Sequence, residues 1–182
     1  YSYDFIYNRL NNNQSKLIAD NREGVSTIGG DVDMRYSYRN LLSLGGNLTY
    51  QYLRNQQKYE PEYTGVSPVY LDRMPNIPYL FGNFDASVMF RDFVGKGNGL
   101  NLSYSLLYVY DFYLNWPSRG GSKLDIPKQL SHDIHIVYSL KQGRYNLGLE
   151  CRNLGNAKIY DNFSLQKPGR AFYANLRYFF SK

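Results

Sequence analysis

The chain has 182 residues with 20 Tyr, 10 Phe, a single Cys and a formal net charge of +6. Mean hydropathy is -0.53 and no run of about 20 apolar residues occurs, which excludes a membrane-crossing helix. Cys151 alone cannot form an internal disulfide or a cysteine metal cluster, and the scattered Arg and Lys lack the basic face that nucleic-acid binding needs.

The length suits one domain or a piece of one. Aromatic residues reach 17%, and Gly and Asn are frequent, a mix that favours strands joined by turns. The chain opens in "YSYDFIY", where Tyr3, Phe5 and Tyr7 alternate with Asp4 and Ile6. This period of two predicts a strand and, because the chain starts inside it, a fragment of a longer protein. The second predicted strand sets Ile28, Val32, Met34, Tyr36 and Tyr38 against Asp31, Asp33 and Arg35. In the third, Leu42, Leu44, Leu48, Tyr50 and Tyr52 oppose Ser43, Asn47 and Gln51. The fourth opposes Phe84, Ala86, Val88 and Phe90 to Asn83, Asp85 and Arg91. "LNLSYSLLYVYDFYL", from Leu100 to Leu114, is the longest and keeps every even position apolar or aromatic, against Asn101, Ser103, Ser105 and Asp111 on the other face. The sixth carries Ile134, Ile136, Tyr138 and Leu140, the seventh Tyr145, Leu147, Leu149 and Cys151, and the eighth Phe172, Ala174, Leu176, Tyr178 and Phe180.

Short links are expected near 39–41, 94–99 and 142–143, and long links over roughly 10–25, 54–78, 115–128 and 154–169. Strict alternation of short and long links is the habit of outer-membrane barrels, and several strands reach the 9 to 11 residues a tilted bilayer crossing needs. The expected fold is therefore all-β, an antiparallel up-and-down transmembrane β-barrel with its leucine and aromatic face toward lipid. Asp31, Asp33, Arg35, Asp85, Arg91, Asp111, Asp133, Arg144, Glu150, Arg152 and Arg177 would line the lumen.

From about residue 25 onward the chain resembles the C-terminal part of a Bacteroidetes-type TonB-dependent outer-membrane receptor. The similar stretches are "STIGGDVDMRYSYR", "LSLGGNLTYQYLRNQ", "MPNIPYLFGNFDASV", "LDIPKQLSHDIHIVYSL" and "LECRNLGNAKIYDNFSLQKPGRAFYANLRYFF". The resemblance implies that residues 1–182 supply about eight strands of a 22-stranded barrel whose N-terminal plug and earlier strands are absent. It implies TonB-dependent import of a scarce ligand such as an iron chelate or haem across the bacterial outer membrane. The implied partners are outer-membrane lipid, the plug domain, TonB and an extracellular small ligand, with no nucleic acid. In such receptors a terminal Phe belongs to the assembly signal, whereas here Phe180 is followed by Ser181 and Lys182.

No catalytic motif, cofactor site or metal site is read from the sequence, and the chain is expected not to be an enzyme. His132 and His135 lie three apart and should face opposite ways along a strand. Asp111 and Asp133 are expected on neighbouring strands and one polar face, where they read as lumen charges rather than a catalytic pair. Ligand contact is assigned to loops, with Tyr63, Tyr70, Trp116 and Arg119 as candidates; Trp116 suits a headgroup anchor as well as a stacking platform. Two other functional classes remain open: a small plug-free eight-stranded outer-membrane barrel with a structural or adhesive role, and a secreted β-sandwich binding module.

Overall fold

A computed structural model describes residues 4–11, 14–21, 24–59, 64–118, 125–161 and 165–180, with backbone alone described before residue 24. Eleven strands form: β1 (Asp4–Asn11), β2 (Gln14–Asn21), β3 (Val25–Tyr38), β4 (Leu42–Asn55), β5 (Leu80–Arg91), β6 (Gly99–Val109), β7 (Phe112–Tyr113), β8 (Asp125–Ile126), β9 (Gln129–Leu140), β10 (Tyr145–Arg152) and β11 (Ala171–Tyr178). Seven of them make one antiparallel sheet in the order β11-β10-β9-β6-β5-β4-β3, and β1-β2 and β7-β8 are separate two-stranded hairpins.

The expected transmembrane barrel is corrected here. Closure requires β3 to pair with β11, yet these strands end opposite sides of the sheet and each has only one neighbour. An open sheet leaves a row of unpaired N–H and C=O groups along each edge, and hydrocarbon offers them no partner. Nor does the first predicted strand join the second. It pairs with β2 instead, from Asp4↔Asn21 to Asn11↔Gln14, inside a stretch expected to be a long link.

Register fixes the two faces of the large sheet. Val32 stands opposite Leu48, Ala86 opposite Tyr104, Leu102 opposite Ile136, and Leu149 opposite both Ile136 and Ala174. Because side chains alternate with period two, these pairings place every apolar set on one face and Asp31, Asp85, Ser105, Asp133 and Glu150 on the other.

One end of the sheet is closed by tight turns. Arg39 (φ 48) and Asn40 (φ 52) are both left-handed, the two-residue conformation whose twist matches a hairpin. Asp92 Oδ1 accepts from Gly97 N at 2.7 Å, and Gln142 N donates to Gly97 O at 2.8 Å, which ties the β5–β6 turn to the β9–β10 turn. The buried apolar side chains lie at the other end. Leu53, Val69, Met74, Phe112, Ile126 and Ile159 come from strand ends and loops, not from the middle of the sheet.

Candidate binding surface

The apolar face of the sheet is uncovered at both of its flanks among the described residues. Ile28 is 70% exposed, Met34 71%, Phe172 74% and Leu176 76%, so both flanks of the face lie open. Its centre carries rows of contacting rings: Phe84 and Tyr104 at 6.3 Å between centroids, then Tyr104 and His132 at 6.0 Å. The Tyr104 hydroxyl lies 2.7 Å from His132 Nδ1, which satisfies the one imidazole on this face. His135 stands on the opposite face, so the two histidines separate as their spacing requires.

Gly46 sits in register between Met34 and Phe84. Without a side chain there, the face dips into an apolar groove of about 840 Å³ bordered by Val32, Met34, Tyr36, Leu44, Leu48 and Phe84. Cys151 belongs to the same face, half-buried between Ile134 and Phe172.

The polar face is largely satisfied by itself. Ser139 Oγ donates to Asn146 Oδ1 at 2.6 Å, Ser103 Oγ to Asn101 Oδ1 at 2.7 Å, and Arg152 Nε to Glu150 Oε1 at 2.5 Å. That bond and the Glu150 charge raise the Arg152 pKa further above its usual value. Asp85, Ser105 and Asp133 stand in one row across three strands and border a cavity of about 350 Å³. Asp133 accepts from Asn153 N at 2.8 Å. The expected Asp111–Asp133 juxtaposition does not occur, because β6 ends at Val109 opposite Gln129 and Asp111 lies in the exposed link beyond it. Among the described residues there is no group of three or more His, Cys, Asp or Glu arranged to hold a metal.

The loops converge at the end of the sheet away from the tight turns. Asn55 is fully buried, donates from Nδ2 to Val69 O at 2.9 Å and accepts from Gln57 N at 3.1 Å. Ser118 N and Oγ donate to the two Asp72 carboxylate oxygens at 2.9 and 2.6 Å, and Asn76 N donates to Tyr113 O at 2.7 Å. Of the four loop candidates, Tyr70 and Trp116 are half-buried in this assembly, while Tyr63 and Arg119 lie outside the described residues. Sequence reading missed the Arg54, Arg73, Tyr52 and Tyr79 cluster in the same place. Arg73 Cζ stands 3.6 Å from the Tyr79 ring centre and 5.3 Å from that of Tyr52, and Arg54 Cζ stands 4.8 Å from Tyr52. Burial and a hydrogen bond with Tyr110 raise the Tyr79 phenol pKa.

No family model matches the chain, and no curated protein or solved structure matches it. The resemblance to a TonB-dependent receptor is corrected accordingly: its quoted stretches fold as β3, β4, β5, β9, β10 and β11 of an open sheet, with β8 in a separate two-stranded one, and the 22-stranded barrel rested on that resemblance alone. Ligand import, the outer-membrane location and the lipid, plug and TonB partners followed from the same barrel and fall with it. No described helix is long and apolar enough to cross a membrane, which leaves sheet architecture as the only ground on which such a reading stood.

Proposed function

We propose that the chain is a non-catalytic β-sheet binding module that takes a second apolar protein layer against its seven-stranded face, completing a sandwich. The observation that supports this reading is the contiguous apolar face running from Ile28 and Met34 on β3 to Phe172 and Leu176 on β11. Sheets with one greasy face are stable when that face packs on another layer, about 10 Å away. An uncovered apolar surface spread over seven strands is well beyond the scattered apolar residues of an ordinary protein surface.

The only cysteine offers a direct probe, since Cys151 lies on the face in question. The purified chain is expected to associate in a concentration-dependent way in sedimentation velocity, with Cys151 slow to react with a thiol reagent. Leu102→Lys with Leu149→Lys should return it to monomer and speed labelling at least tenfold, with far-ultraviolet circular dichroism unchanged. A folded monomer whose Cys151 reacts at the unfolded-chain rate at every concentration would overturn the proposal.

A further inference from the structure

We propose that Arg54 and Arg73 form a binding site for an oxyanion, a carboxylate or phosphate group, at the loop end of the sheet. The site lies at the loop-end margin of the apolar face, where Tyr52 and Arg54 share the parity of Leu48 and Tyr50, and it does not rest on the proposed function.

The two arginines form an antiparallel bridge, directly opposite one another. The segment carrying Arg73 is fastened to the end of β4 by Asn55 N to Asp72 O at 2.9 Å and Met74 N to Leu53 O at 3.1 Å, so the opposition belongs to the ladder rather than to mobile side chains. Directly opposed like charges on neighbouring strands repel. The neighbouring Asp72 carboxylate accepts from Ser118 N and Oγ, and its charge offsets this repulsion only from the side. Among the described residues the ion pair is Glu150 with Arg152, far along the chain from both arginines.

Aromatic rings hold the guanidinium groups instead. Both arginines lie over the Tyr52 ring, and Arg73 lies against Tyr79. Tyr52 Oη accepts from Arg54 Nε at 2.6 Å. Stacking fixes the plane of a guanidinium while leaving its edge donors directed outward, the arrangement that receives carboxylate or phosphate through paired N–H···O bonds. A second sign of a missing partner is that Arg73 Nε is buried with no acceptor. Buried donors of this kind are rare in folded proteins. One oxyanion against the outer edges of both guanidiniums would remove the repulsion between them.

The test is calorimetric titration of the full chain with inorganic phosphate and, separately, with acetate, at low ionic strength. Saturable binding of one anion per chain is expected for at least one of the two, and the preferred probe distinguishes phosphate from carboxylate ligands. Arg54→Gln and Arg73→Gln should each weaken it at least tenfold. Arg54 is exposed, so its variant controls for misfolding at the more enclosed Arg73. Saturating anion should raise the melting temperature of the parent chain and leave that of the Arg54→Gln variant nearly unmoved. No saturable binding of either anion, or binding that survives both substitutions, would overturn the site.

Discussion

Asn55 is the residue on which the loop end depends most. Its side chain serves as donor to Val69 and acceptor from Gln57, and its backbone carbonyl accepts from Leu71 N at 2.8 Å. Asn55→Leu would strand the buried Val69 carbonyl and the half-buried Gln57 N–H, and a loss of about 1–3 kcal/mol is expected from urea unfolding. Val94 makes the opposite case. It is a β-branched residue at φ 52 on an exposed turn, a conformation costly to any side chain and most so to a branched one. Val94→Gly should stabilise the fold by about 1 kcal/mol, measured the same way. Tyr79 carries a pH dependence whose sign follows from its raised pKa. The native state holds the phenol proton more tightly than the unfolded chain, so stability is complete below the unfolded value near 10 and is lost as pH rises toward the folded value. Tyr79→Phe should flatten the alkaline limb of a stability-against-pH curve; an unchanged limb would assign it to other tyrosines.

Among the elements, those with clean alternation were the legible ones. The predicted strands at 27–38, 42–52, 83–91, 131–140 and 145–152 coincide with β3, β4, β5, β9 and β10 to within a few residues. Their parity also located the apolar face, since period two decides which side chains travel together. Gln14–Asn21 escaped because "QSKLIADN" mixes polar and small residues and reads as a loop; only its pairing with Asp4–Asn11 makes it a strand. The two-residue strands β7 and β8 are too short to show any period. The Arg54–Arg73 opposition was equally invisible, because it depends on how residues 56–72 return the chain to β4. Glycines mark where strands approach most closely. A Cβ on buried Gly82 would collide with the backbone carbonyl of Asn47, which cannot turn away as a side chain can. Gly82→Ala is expected to cost about 1–3 kcal/mol through forced separation of β4 and β5; a stability equal to the parent would show that the strands can part freely.

For the molecule as a whole, the sequence states which residues share a face but not what covers it. A leucine and aromatic face looks the same whether lipid, a second sheet or another protein lies upon it. The inference of a closed wall came from link lengths, and link lengths are equally satisfied by an open meander in which every strand of the sheet follows its neighbour. What decides between the two is the pairing of the outermost strands, a contact between distant parts of the chain on which local alternation has no bearing.

The meander order has a mechanical consequence. β3 begins at the loop end of one edge, and β11 finishes at the turn end of the other, roughly 29 Å away across six strand spacings. β11 is held to β10 by eight residue pairs, and β3 to β4 by fourteen. A load applied between Val25 and Tyr178 pulls from opposite ends of the strands and so acts on the ladders in shear, with the shorter ladders beside β10 expected to yield before that between β3 and β4.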